Sequence, residues 1–237
     1  MRINLYTLIR DPLFLVLILF FLLFILVSFL YKFFGIKNFK STLKSLSNRL
    51  DAVYLNKGMS LTDVKEKLGV NDSIKFKVNI PLKKSLKIIN HEINKSDIII
   101  GKMSNLIFLI DTNINHLGSN FNKKVGTRIR IPLNKDFNFT IKPITFFDKL
   151  KMKVGIIDPN LKFNEKYLVT KNFQETFNEI LKNHDFKDSF LRFDDFSINV
   201  VDGIFTLFIS NIESNKRNIL ESIFSSVSFI KLLYHNK

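Results

Sequence analysis

The side chains able to do chemistry are few and widely spaced. Histidine occurs only at positions 91, 116, 184 and 235 of the 237 residues, and cysteine is absent, which removes disulfides, thiolate metal sites and cysteine nucleophiles. His91 stands beside Glu92, but Ile93, Asn94 and Lys95 follow, so the second ligand of an H-E-x-x-H zinc helix is missing. Ser41 and Lys44 match the S-x-x-K spacing of serine acyl enzymes; no K-T-G partner occurs, and an exposed neck helix offers no pocket. Asp111, Asn113 and Asn115 imitate the first ligands of a calcium loop. His116 replaces the required glycine and Asn122 the bidentate glutamate, so residues 111–122 read as a polar loop after a strand. Asp194 and Asp195 are adjacent and would point apart on a strand or helix, which suits a loop better than a catalytic pair. The glycines form neither a phosphate loop nor a G-x-S-x-G elbow. The expectation is a chain without catalytic, cofactor or metal-binding residues, and not an enzyme.

Nucleic acid is the other chemistry to test. The net charge is +15, and Phe186, Phe190, Phe193 and Phe196 are interleaved with Lys187 and Arg192. Such an arrangement can stack bases beside phosphate-binding cations. Phenylalanine at this spacing more often fills a core, and no ribonucleoprotein motif accompanies it, so a nucleic-acid partner ranks low.

What must position these residues begins with an anchor. Residues 12–31, PLFLVLILFFLLFILVSFLY, carry no charge and are bounded by Asp11 and Lys32. As a helix they cover about 30 Å, the thickness of a bilayer's hydrocarbon core. Asp11-Pro12 is a sound helix start, and Tyr31 and Lys32 suit the headgroup boundary. The run is too long for a signal peptide and no small-x-small site follows it; it also lacks the polar face of a globular helix. A single membrane span is expected.

Arg2 and Arg10 precede the run, whereas Lys32, Lys37, Lys40, Lys44 and Arg49 follow it. The positive-inside rule then places the C-terminal part in the cytoplasm, with Lys32, Lys37, Lys40 and Lys44 against the membrane surface. Five Lys/Arg against one Asp give +4 in residues 1–40, leaving +11 on the remainder. The expected partners are the lipid bilayer and a protein.

The rest reads as a neck and one folded unit. Phe39, Leu43, Leu46, Leu50 and Val53 form one seam of a helix over residues 38–57 that Gly58 ends, and Ser60 with Asp63 caps a short helix stopped by Gly69. Residues 74–81 alternate as a strand, as do 127–132, with Ile129 and Ile131 opposite Arg128 and Arg130. Residues 97–100 and 105–111 flank a G-K-M-S turn. A strand with Phe137, Phe139 and Ile141 on its buried side follows the L-N-K-D turn. Residues 166–169 read as a strand, followed by a helix burying Phe173, Phe177, Ile180 and Leu181. Asp202-Gly203 marks a type I′ hairpin that pairs Val200 with Phe205 and Ile198 with Leu207. The last helix, over 216–234, has Leu220, Phe224, Val227 and Leu233 near its apolar stripe.

Lys153, Gly155, Ile156, Asp158, Phe163, Lys166, Tyr167 and Val169 form a K-x-G-I-x-D segment followed by F-x-x-K-Y-x-V. Over about the last ninety residues the chain resembles a poorly characterised group of prokaryotic membrane-anchored proteins, a domain of unknown function. The resemblance implies an anchored α+β domain and supplies no activity. The expected class is therefore α+β: an N-terminal tail and transmembrane anchor over 1–34, a juxtamembrane helical neck over 35–70, and an antiparallel sheet covered by helices over 71–237. The expected role is a non-enzymatic interaction or scaffold domain at the bilayer. The alternatives are an envelope enzyme or ligand-binding protein with a dispersed site, and a membrane-tethered nucleic-acid binder.

Overall fold

The computed structural model describes residues 12–50, 52–68, 80–116, 123–163, 165–184, 187–188, 192–193, 195–210 and 215–235. In chain order its elements are α1 (Pro12–Arg49), β1 (Val53–Leu55), α2 (Leu61–Lys67), α3 (Ile80–Glu92), β2 (Ile98–Met103), β3 (Leu106–His116), β4 (Lys123–Pro132), β5 (Phe139–Pro143), α4 (Phe146–Lys153), β6 (Lys162–Phe163), β7 (Tyr167–Val169), α5 (Gln174–Ile180), β8 (Phe196–Val201), β9 (Ile204–Ile209) and α6 (Lys216–His235). The strands form one nine-stranded antiparallel sheet in the order β1-β2-β3-β4-β9-β8-β5-β7-β6. The α+β architecture expected from the sequence is the one observed.

Turn chemistry sets the register. Asp202 and Gly203 lie at φ 53° and 65°, and Val200 faces Phe205 while Ile198 faces Leu207, as the D-G turn and the alternation require. The β2–β3 hairpin departs from expectation. Gly101, Lys102 and Met103 belong to β2, and the turn is Ser104-Asn105, at φ 48° and 63°. Gly101 stays in the strand because the Phe108 ring and Ala52 occupy the space a Cβ would take.

Both faces of the sheet are covered near β2. On one face Ile99, Phe108, Ile110, Ile129, Phe205 and Leu207 meet α1, α5 and α6 in the main core. On the other, Ile98, Ile100 and Leu109 pack with Val64 of α2 and Ile88 and Ile89 of α3. This explains three consecutive isoleucines in one strand, since over Ile98–Ile100 neither face of β2 meets water.

Four expectations need correction. The neck helix ends at Arg49; its seam holds for Phe39, Leu43, Leu46 and Leu50, but Val53 starts β1. The β-prone Val-Tyr pair takes the open edge of β2, whose backbone groups a further helical turn would leave unpaired. Of the strand expected over 74–81, residues 74–79 lie outside the described residues, whereas 80–81 begin α3, with Pro81 in its first turn. The polar loop expected from 111 is strand as far as His116; residues 117–122 lie outside the described residues. In α6 Val227 and Leu233 are buried as expected and Leu220 packs partly buried on the core, but the stripe also takes Ile219, Ser222, Ile223, Ser226, Phe229 and Ile230, and Phe224 is 55% exposed. Ser222 and Ser226 donate to the carbonyls of Asn218 and Ser222, so their hydroxyls are satisfied within the helix and these small side chains can face the core.

The short helix after Ser60 is as expected, with the Ser60 hydroxyl accepting from the Asp63 amide. Gly69 lies outside the described residues.

Candidate functional site

The lower half of α1 runs alongside β2 in the same direction. Lys40 Nζ is 3.7 Å from Asp97 Oδ2 just before β2, while Ala52, beyond the helix end, lies against Gly101. The upper half therefore projects past the Ile98 end of the sheet. Asp97 fastens this junction, accepting from the Lys57 amide at 2.7 Å. Burial, with Asp97 beside it, pushes the Tyr54 hydroxyl up to about 12.

Along α1 every side chain over 16–27 is apolar and between 40% and 70% exposed. Among the described residues no helix is long and apolar enough to cross a membrane. Lys37, Lys40 and Lys44 lie exposed on the face opposite Phe39, Leu43 and Leu46; the side chain of Lys32 lies outside the described residues.

No match to this chain exists among protein-family models, curated proteins or solved structures.

The chemical motifs scatter. Ser41 and Lys44 are exposed on α1, His184 is exposed in the chain after α5, and His235 is exposed at the end of α6. The side chain of His116 lies outside the described residues, as do Asp194, Phe186 and Phe190. Phe196 is fully buried and stacks on Tyr167 at 4.5 Å between centroids, and Phe193 packs against the main core. Neither is placed to stack on a base. No group of three or more His, Asp or Glu among the described residues is placed to hold a metal ion. Within the segment that carries the family resemblance, Asp158 accepts from the Asn160 amide, Gly155 takes φ 74°, and Tyr167 and Val169 are core residues.

What sequence reasoning missed is a buried ionic cluster between α3 and the sheet. Asp111 sits directly opposite Arg128 across β3–β4 and is fully buried. Arg128 Nε and Nη2 donate to its two carboxylate oxygens at 2.8 and 3.0 Å, and Arg130 Nη2 also bonds Asp111 Oδ2. Glu92, in the last turn of α3, adds contacts to Arg128 Nη2 at 3.1 Å and Arg130 Nη1 at 3.6 Å. His91 Nδ1 lies 2.9 Å from Glu92 Oε1 at the solvent rim. Two carboxylates and two guanidiniums thus balance.

Burial alone would raise Glu92, but Arg128, His91 and Arg130 outweigh it and hold the carboxylate below its usual range. Burial also works against Arg128, whose bidentate bond to Asp111 nevertheless raises it. Arg130 is lowered by burial, with Arg128 beside it, against the pull of Asp111 and Glu92. Both carboxylates are committed to arginines, so the cluster fastens α3 to the sheet. The signal for it lies in the β3–β4 register, which pairs Thr112 with Thr127 and hence Asp111 with Arg128.

An open hollow of about 530 Å³ lies at the opposite end of the sheet from the exit of α1, lined by Lys84, Asn134, Asp136, Phe137, Asn138 and Asp202. Lys84 Nζ already donates to the Leu133 carbonyl at 3.2 Å and lies 3.4 Å from Asp136 Oδ1.

Proposed function

We propose that this chain is a single-pass membrane-anchored protein whose α+β domain serves as a non-enzymatic interaction or scaffold module at the bilayer surface. The observation that carries the reading is the upper half of α1. Its side chains over 16–27 are apolar and exposed all round, whereas Phe39, Leu43 and Leu46 further along the same helix are buried in the main core. A helix without a polar face has no favourable place in water, whereas each such residue favours insertion by a few tenths of a kcal/mol.

The domain is assigned to the cytoplasmic side, supported by the excess of Lys32, Lys37, Lys40, Lys44 and Arg49 over Arg2 and Arg10. In this placement the lysines just past the span meet headgroups. The non-enzymatic part of the proposal is supported by the ionic cluster, whose acidic groups are committed to structural pairs. A ligand-binding reading draws on the hollow around Lys84 and Asp136. It stands second, because both of those side chains already engage each other. A protein is the proposed partner of the domain.

Alkaline carbonate extraction of membranes tests the anchor. The full chain is expected to stay in the pellet; its release into the supernatant would remove the anchored reading.

A further inference from the structure

The helix α4 is turned inside out relative to a globular helix. Its buried residue is Asp148, and Phe146, Phe147, Leu150, Val154 and Ile156, on the helix and the chain just after it, are 50–75% exposed. The inversion has a local cause. Thr145 caps the helix in a reciprocal box with Asp148, and Lys142 of β5 reaches the same carboxylate at 3.0 Å. Burial opposes the Asp148 charge, but Thr145 and Lys142 outweigh it and keep the group ionised. The polar side of the helix is therefore fastened to the sheet and the apolar side faces out, flanked by exposed Lys149, Lys151 and Lys153.

The register shows at which end of the sheet this surface lies. β2 starts at the end of the sheet from which the upper half of α1 departs. Following antiparallel neighbours, β3 returns to that end, β4 leaves it, β9 returns, β8 leaves and β5 returns. α4 follows β5 directly, so it stands at the same end as the exit of α1. Phe39, the first core residue of α1, comes eight residues after Tyr31, a rise of about 12 Å along a helix.

We propose that α4 and the residues after it form a second, interfacial membrane contact: Phe146, Phe147, Leu150, Val154 and Ile156 enter the headgroup–acyl boundary of an anionic bilayer while Lys149, Lys151 and Lys153 meet its phosphates. This rests on the anchored reading of α1 and deepens it. Large exposed apolar side chains rimmed by lysine match the charge and depth of that boundary, as interfacial helices do.

The chain has no tryptophan, so one introduced residue is a unique reporter. Full-length F147W and, separately, full-length F21W are reconstituted into phosphatidylcholine vesicles with and without phosphatidylglycerol, and with acyl-brominated lipid. The expected result for F147W is a blue-shifted emission that brominated lipid quenches, with quenching reduced when Lys149, Lys151 and Lys153 are replaced by glutamine. Quenching of F21W with solvent-like emission from F147W overturns the surface contact and leaves the anchor standing. A blue shift of F147W without bromine quenching also overturns it and assigns the surface to a protein, such as a second copy of this chain. Quenching of F147W with F21W unquenched supports the surface contact and removes the span.

Discussion

Residues 16–27 and residues 39–49 lie on one helix, and both draw their apolar side chains largely from leucine and phenylalanine, yet they meet opposite surroundings. In the lower half, Phe39, Leu43 and Leu46 are nearly inaccessible, and Lys40 and Lys44 occupy the other side. In the upper half no side is polar and no side is covered by protein. The difference lies in composition and patterning together: every residue of 16–27 is apolar, whereas Lys40, Ser41, Lys44 and Arg49 interrupt the lower half. A polar stripe tells the helix which way to face, so the sheet can claim the remainder; residues 16–27 carry no such stripe.

The comparison can be broken most forcefully in the upper half. Leu19→Lys, Leu22→Lys and Ile25→Lys together oppose insertion by about 3 kcal/mol each, or roughly 9 kcal/mol in all. The triple variant is expected in the carbonate supernatant, with the melting of the sheet domain unchanged in detergent. Retention in the pellet would mean that the anchor lies elsewhere.

Leu46→Ala is the matching change in the lower half. Leu46 is fully buried, so its truncation is expected to cost about 2–5 kcal/mol. The melting temperature of the detergent-solubilised full chain should fall by roughly 2–4 °C per kcal/mol, measured by circular dichroism, while the pellet fraction stays the same. If Leu46→Ala released the protein from membranes, the two halves would not be separable in the way their surroundings imply.

The smallest effect comes from acid and sharpens the contrast further. Glu92 and Asp148 are held below their unfolded values, so the stability they contribute is complete above roughly pH 4–5 and is lost as pH falls through their folded values. Melting should therefore weaken below that range in the wild type and respond less in Glu92→Gln, whereas membrane partition, which depends on uncharged residues, should not change with pH. An identical acid response in Glu92→Gln would remove the ionic cluster as its source.

Local patterns made much of this fold legible. Alternation in the chain predicts β4, β5 and β8–β9, and the D-G dipeptide pairs Val200 with Phe205 as observed. The unread parts depend on partners distant in sequence. β1 forms because an edge of β2 is open 45 residues later, at Ile98–Ile100 against Val53–Leu55. The α6 stripe extends beyond the expected residues because buried serines look polar until their hydroxyls are seen bonded within the helix. The Asp111–Arg128–Arg130–Glu92 cluster needs the β3–β4 register and the docking of α3 together, and neither can be read from spacing alone.

α1 passes from its exposed half into the main core as one helix of 38 residues, about 57 Å long. With Phe39, Leu43 and Leu46 gripped by the sheet, the lower end has no swivel. In the anchored arrangement the domain is therefore steered and not leashed. A change in bilayer thickness that alters the tilt of the upper half turns the sheet through the same angle. A partner docked on the domain would sense lipid composition as a change of bearing, conveyed mechanically by a rigid shaft.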